Sequence, residues 1–290
     1  MKKVFVFVFF LFTIVVLTSC AGGNVSPYSS FEYGKYPKTI VDDKEIKEKL
    51  DEIDDSKANE LGYLELDGKE YKRVIAKPYN NYEIHFSNNA VVRDGRTYYF
   101  SVEPVLWRVL KTEDGNKYLI SQYVIDGFDF VDRTAIEGKS LEECDISYEN
   151  SNIRNSINNI FYNRLTNNET NKPIAKKINI KSGDTEKEIE DKVWLPSYEL
   201  LMNKDYRFLT EDDRYTQLTD YAKAIGCANY SDSAASYYYD AASYMTLTPS
   251  SYTKNAYAYV DFYGKLSIVN DVNQYKVCGI RPCICIKSVD

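Results

Sequence analysis

Residues 237–286 read YYYDAASYMTLTPSSYTKNAYAYVDFYGKLSIVNDVNQYKVCGIRPCICI. Tyrosines and small residues open the stretch. An alternating segment then enters a tight turn at Tyr263-Gly264-Lys265 and leaves it as a second alternating segment. A polar loop follows, and Gly279-Ile280-Arg281-Pro282-Cys283-Ile284-Cys285-Ile286 has the apolar content of a closing strand. Upstream, the period of two returns. Tyr63-Leu64-Glu65-Leu66 and Lys69 to Val74 flank Asp67-Gly68, and Val91-Val92-Arg93 and Arg96 to Phe100 flank Asp94-Gly95. Val105 to Leu110 and Lys117 to Ser121 flank a loop at Thr112 to Asn116. Asp-Gly between alternating runs is a strong hairpin signal, because both turn residues take positive φ. Successive hairpins predict an antiparallel sheet.

Helical spacing is confined to a few stretches. Ile46, Leu50 and Ile53 share one face of a charged helix over residues 42–61, which predicts a surface helix. Ile153, Ile157, Ile160, Phe161 and Leu165 form a stripe over Asn150 to Leu165, with Thr166-Asn167-Asn168 as its stop. Ile174 to Ile180 alternates like a strand, Ser182 to Asp191 reads as a loop or short helix, and Val193 to Ser197 as a buried strand end. Thr219 to Gly226 is a short helix ending on glycine. The fold class that follows is α+β: a twisted antiparallel sheet flanked by helices. The expected core is Leu106, Trp107, Ile153, Ile157, Phe161, Trp194, Leu195, Ile280 and Ile284, with Arg281 bonded to an acid or to carbonyls because a lone buried charge is too costly.

The N-terminus is a targeting segment. Lys2 and Lys3 precede an apolar run from Val4 to Leu17, too short for a typical membrane span, and Leu17-Thr18-Ser19-Cys20 has the form of a bacterial lipoprotein signal. Residues 1–19 are expected to be the signal peptide, 20–41 the lipidated Cys20 with its tether, 42–61 the surface helix and 62–290 a single domain. Two or three acyl chains on Cys20 would hold the protein on a membrane at the cell envelope, outside the cytoplasm. Formal net charge is -7, and loss of Lys2 and Lys3 with the signal makes it -9. So acidic a chain is not expected to condense on nucleic acid, and no nucleic-acid partner is expected.

The chemistry available is sparse. With Cys20 lipidated, Cys144, Cys227, Cys278, Cys283 and Cys285 remain, an odd number without metal-ligand spacing. Cys283 and Cys285 lie two apart on a strand and point to one face as small core residues. His85 is the single histidine, which removes most Ser–His and Cys–His nucleophiles and His-rich zinc sites. No glycine-rich phosphate loop is present. No metal and no cofactor is expected. The acidic pairs Asp54-Asp55, Glu142-Glu143 and Asp212-Asp213 are the one route to an enzyme, an envelope hydrolase working through a carboxylate pair.

Against that stands a binding surface. Tyr230, Tyr237, Tyr238, Tyr239, Tyr244, Tyr252, Tyr257 and Tyr259 sit among Ser, Ala, Asn and Asp, a mixture that gives rigid aromatic contact area with adaptable polar neighbours. At least three of the eight are expected on one exposed face distal to the anchor, with Tyr237, Tyr238, Tyr239, Tyr244, Tyr252, Tyr257 and Tyr259 as candidate contacts to a glycan or protein ligand.

An ordered set of segments also carries a resemblance. It runs Glu103 to Leu110, Ser151-Asn152-Ile153-Arg154, Asn158 to Phe161, Trp194 to Glu199, Thr219-Asp220-Tyr221-Ala222 and Gly279-Ile280-Arg281-Pro282. Over about residues 60–287 this resembles an uncharacterised bacterial domain family of lipoproteins and cell-surface proteins. Met245-Thr246-Leu247-Thr248-Pro249 stands where relatives carry Trp-Leu-Arg-Ser-Pro, so the arginine is absent. More distantly, Ser243-Tyr244-Met245 and Gly279-Ile280-Arg281 are similar to C-type-lectin-like folds, the formylglycine-generating enzymes among them. That resemblance implies a lectin-like fold with recognition loops in residues 228–275. It does not carry the oxidase activity, since Thr246 and Ser251 occupy the positions of the catalytic cysteines. Asn270-Asp271 is assigned to turn chemistry rather than to a calcium site.

Overall fold

A computed structural model describes residues 29–79, 83–132, 134, 137–139, 146–182, 185–229, 240–252, 256–267 and 277–288. Strand β1 (Ser30–Ile40) runs antiparallel to β4 (Thr97–Glu113) from the Ser30–Arg108 pair to the Ile40–Phe100 pair. Helix α1 (Lys44–Asp51) follows, with Asp43 as its N-cap accepting from Ile46 N. β2 (Leu64–Leu66) and β3 (Lys69–Ile75) form the Asp67-Gly68 hairpin, where both turn residues have positive φ. β4 turns into β5 (Asn116–Ser121) through Asp114-Gly115, again with two positive φ angles. Phe100 pairs with both Ile40 and Lys72, and Trp107 with both Phe31 and Ser121. β1 therefore lines one edge of β4, while β3 and β5 share the other edge end to end. The sheet continues through β14 (Cys283–Lys287) to β9 (Val193–Trp194), seven strands in all.

Smaller units pack on this sheet. They are the pair β6 (Asp126–Phe128) with β13 (Cys278–Ile280), the hairpin β7 (Lys176–Ser182) with β8 (Thr185–Asp191), and the meander β10 (Tyr244–Pro249), β11 (Tyr257–Val260) and β12 (Leu266–Ser267). Every pairing between strands is antiparallel. The flanking helices include α2 over residues 152–165, α3 (Glu211–Arg214) and α4 (Asp220–Ala224). The expected α+β class is what the structure has. None of the described sheets closes on itself in the manner of a C-type lectin. No described helix is long and apolar enough to cross a membrane.

Five expectations are corrected. The helix expected over residues 42–61 is confined to Lys44–Asp51, followed by a separate 3-10 turn at Asp55–Lys57 capped by Asp54. Residues 30–40, assigned to the tether, form β1, whose Tyr33 and Tyr36, on either side of an irregularity between Glu32 and Lys35, reach the core. Residues 185–191, assigned to a loop or helix, form β8, with Ile189 against Ile178. Asp94-Gly95 is a turn, but its arms do not pair, because β3 occupies that edge of β4. Finally, Ile160 is 46% exposed. The helix is α over Asn152–Ser156, π over Ile157–Phe161 and α over Tyr162–Leu165. A π turn adds a residue to one turn, so the next face slips by one position. Ile153, Ile157, Phe161 and Leu165 line up at steps of four, all buried, and Ile160 is rotated out.

One core cluster takes in Trp107, Ile153, Ile157, Phe161, Trp194, Leu195, Ile280 and Ile284, as the sequence predicts, while Leu106 is only half-buried. A satellite of Val41, Leu50, Leu64, Tyr71 and Tyr99 sits under α1.

Candidate functional site

The tyrosines divide. Tyr244 is buried, donates its hydroxyl hydrogen to Arg214 O (2.9 Å) and lies 3.2 Å from the Arg281 Nη1 donor. Tyr257 is also buried, its hydroxyl on Ile146 O at 3.0 Å and its ring centroid 4.3 Å from that of Phe130. Both are core residues, a correction to their assignment as ligand contacts. Tyr259 is half-buried on β11 opposite Met245, and Tyr252 is 72% exposed. Tyr230, Tyr237, Tyr238 and Tyr239 lie outside the described residues, as do Cys20, Cys144, Glu142, Glu143, Asn270 and Asp271.

The residues on either side of 230–239 are held on the core. Asn229 bridges Ala242 and Gln217 bridges Ala241, while Ala242 N donates to Thr216 O (2.9 Å) and Ser243 N to Ala228 O (3.2 Å). Asp240, at φ 65°, accepts from Lys223 Nζ at 2.7 Å. The same ammonium donates to His85 O (2.8 Å) and lies 3.7 Å from Asp220 Oδ1. Asp220 in turn accepts from Ile40 N (3.1 Å), Ser87 N (2.7 Å) and Ser87 Oγ (2.6 Å). Thr219 caps α4 by accepting from Ala222 N, which presents Asp220 and Lys223 three positions apart on one face. Burial pushes the Asp240 carboxyl upward and the Lys223 ammonium opposes it. Lys223 is 2% exposed. The cluster ties β1, the 83–92 segment and the tyrosine-rich segment to one short helix. Both carboxylates face the ammonium, and Ser87 Oγ donates to Asp220.

Three buried arginines hold the neighbouring loops through carbonyls. Arg281 donates to Ser121 O (2.9 Å) and Arg214 O (3.2 Å), and Arg214 to Gly264 O (2.8 Å). Arg108 donates to Asp213 O (3.0 Å), Arg207 O (3.0 Å) and Tyr206 O, with its guanidinium 4.1 Å from the Phe208 ring centroid. The expectation for Arg281 is met through carbonyls rather than an acid. Three of the paired acids have structural partners: Asp54 accepts from Ser56 N, Asp55 pairs with Arg73, and Asp213 accepts from Thr210 N in the capping box of α3.

Asp126 is a second buried acid. Tyr36 donates to it across from β1, and burial raises its carboxyl to about 6 against the nearby Arg164 charge and the Tyr36 hydrogen bond. Burial also pushes up the Cys227 and Cys283 thiols, so neither is a reactive thiolate. Among the described residues no group of three or more His, Cys, Asp or Glu could hold a metal ion. A groove of about 730 Å³ opens at the far end of β1, where Asp42, Asp43, Glu65, Glu70 and Glu103 outnumber Lys35 and Lys69.

Sequence reasoning singled out Thr219-Asp220-Tyr221-Ala222 as a segment but missed Lys223 and Asp240 as its partners. A lysine inside an otherwise apolar Tyr-Ala-Lys-Ala-Ile run was the available signal.

A family model described as a domain of unknown function, DUF6273, matches residues 114–288. The match begins inside the β4–β5 turn, so β1 to β4 lie outside it although they are four of the seven strands of the main sheet. No curated protein and no solved structure matches the chain.

Proposed function

The chain belongs to the DUF6273 family; that description assigns no function, and from the chain's own residues we propose a ligand-binding module without catalysis. In this reading it is displayed from the cell envelope on acyl chains at Cys20 and recognises a glycan or protein ligand. Tyr237, Tyr238 and Tyr239, with the exposed Tyr252 and the half-buried Tyr259, make the contact. The observation that carries the proposal is the Lys223–Asp240 ion pair beside the Asn229–Ala242 bridge. Flanking residues held on a rigid core are how binding loops limit the entropy lost on complex formation. A lectin-like ancestry is part of the same reading, supported by the meeting of Ser243-Tyr244-Met245 with Gly279-Ile280-Arg281 at the Arg281–Tyr244 hydrogen bond.

The test is a glycan array and a host-protein array probed with the mature chain, then repeated with Tyr237→Ala, Tyr238→Ala, Tyr239→Ala and Tyr252→Ala. Loss of a specific signal at an unchanged melting temperature supports the reading. Binding that survives all four substitutions, or turnover of a bound glycan, overturns it.

A further inference from the structure

The two ends of β1 carry opposite charge. At its start, Val109 N donates to Ser29 O (3.1 Å) and Ser30 pairs with Arg108, so the chain enters beside the β4–β5 turn. Lysines gather there. Lys111 and Lys176 lie over the Tyr118 ring at 4.6 and 5.2 Å, and Lys117 over Phe31 at 4.7 Å. Lys287 pairs with Asn116 on β5, and Lys172 follows Asn171, whose amide donates to Lys287 O. Among the described residues the acids at this end are Glu32, Glu113 and Asp114, with Glu113 bonded to Lys111 at 2.6 Å, and in sequence Asp290 follows two positions after Ser288, whose N donates to Gly115 O. Five lysines, Lys111, Lys117, Lys172, Lys176 and Lys287, stand against these four acids, in a chain with 36 Lys and Arg against 43 Asp and Glu. The other end of β1 is the acidic groove described above.

We infer that the β4–β5 end of the sheet is a docking face for anionic phospholipid headgroups. The inference rests on the proposed acylation of Cys20. Only residues 21–28 separate that cysteine from Ser29, a span of roughly 30 Å at full extension, so this end stays close to the bilayer. Lysines near a negatively charged leaflet are attracted to its surface. Tyr118 and Phe31 beside them give the amphipathic pairing of ring and ammonium that suits a membrane interface. The acidic groove is repelled by the same surface. Attraction at one end of β1 and repulsion at the other fix the molecule upright, with the groove and the Lys223–Asp240 cluster facing away from the lipid.

Two measurements separate the face from the anchor. The intact mass of the mature chain purified from membranes reports acylation of Cys20; an unmodified mass removes the anchor and, with it, the reason this end meets a bilayer. Independently, the mature chain carrying Cys20→Ser is sedimented with vesicles of phosphatidylcholine, alone or mixed with phosphatidylglycerol. Binding only to the anionic vesicles, weakened by added salt, is expected. The combined Lys111→Gln, Lys117→Gln, Lys176→Gln and Lys287→Gln variant should bind at least tenfold more weakly at an unchanged melting temperature. Lys35→Gln with Lys69→Gln, at the groove, should bind as the parent does. Equal binding to both vesicle types, no binding to either, or the same loss in the groove variant overturns the inference. So does tighter binding to a soluble polyanion such as heparin than to the vesicles.

Discussion

The Lys223 ammonium lies 2.7 Å from the Asp240 carboxylate, and through that contact α4 holds the residue that follows 230–239. Lys223→Met keeps the aliphatic bulk and removes the charge, leaving Asp220 and Asp240 without their common cation. Removing one partner of a buried ion pair costs about 3–5 kcal/mol. Asp220 keeps its three other donors, so the loss should fall at the low end of that range. Asp240→Asn keeps an acceptor for the ammonium and should cost about 1 kcal/mol. Urea denaturation of both variants checks the order; equal stabilities would mean that the pair does not hold the segment.

A pH dependence follows from Asp126. Its carboxyl titrates at about 6 in the folded chain, above the ordinary carboxylate value of 3.8. The folded state therefore binds the proton more tightly than the unfolded state, and this site's contribution to stability falls as pH rises from about 4 to 6. The size is roughly 3 kcal/mol for a shift of about two units. Asp126→Asn removes the titration and retains an acceptor for Tyr36. The difference in unfolding free energy between parent and variant should change by that amount between pH 4 and pH 7 and stay constant above. A constant difference across the range would place the Asp126 carboxyl at its ordinary value.

The Gly127–Gly279 pair marks a close approach. The two residues face each other across β6 and β13. A Cβ on Gly127 would stand 2.6 Å from Cys227 Sγ and 2.5 Å from Val277 Cγ1, and one on Gly279 would stand 2.7 Å from Ser243 O. Side chains at the Gly127 contact can shift, whereas a backbone carbonyl cannot do so cheaply. Gly279→Ala is therefore expected to destabilise more than Gly127→Ala, within the roughly 1–3 kcal/mol typical of overpacking. Cys227→Ala should restore part of the loss in Gly127→Ala and none in Gly279→Ala, which a double-mutant cycle in thermal unfolding would show.

Local rules made much of this fold legible. Asp67-Gly68 gave its hairpin outright, because the turn chemistry and the flanking alternation agree. Asp94-Gly95 has the same chemistry but not the pairing, since a distant strand, β3, takes the edge that the local arm would need. Ile160 illustrates another limit: a stripe computed at a constant period cannot register one inserted residue in the π turn. Lys223 and Asp240 are brought together by the Asn229–Ala242 and Gln217–Ala241 bridges, pairings with no period to announce them. The tyrosines were ambiguous for a chemical reason. A ring with a polar tip suits a core edge as well as a surface, and only the nearby carbonyls of Ile146 and Arg214 decide for Tyr257 and Tyr244.

That ambiguity gives the sharpest contrast between two residues of one type. Tyr257 is 2% exposed, its hydroxyl bonded to Ile146 O and its ring against Phe130, so Tyr257→Ala removes a full aromatic side chain from the core. Large aromatic-to-alanine changes in cores cost about 3–5 kcal/mol. Tyr257→Phe keeps the ring and leaves the Ile146 carbonyl without its donor, for about 1–2 kcal/mol. Tyr252, at 72% exposure, has no such packing to lose. Tyr252→Ala should change stability by less than about 0.5 kcal/mol, and its effect should appear only in ligand binding. Thermal unfolding of the three variants beside the array signal tests both roles together. A Tyr252→Ala variant as unstable as Tyr257→Ala would assign Tyr252 to packing and withdraw it from the binding surface.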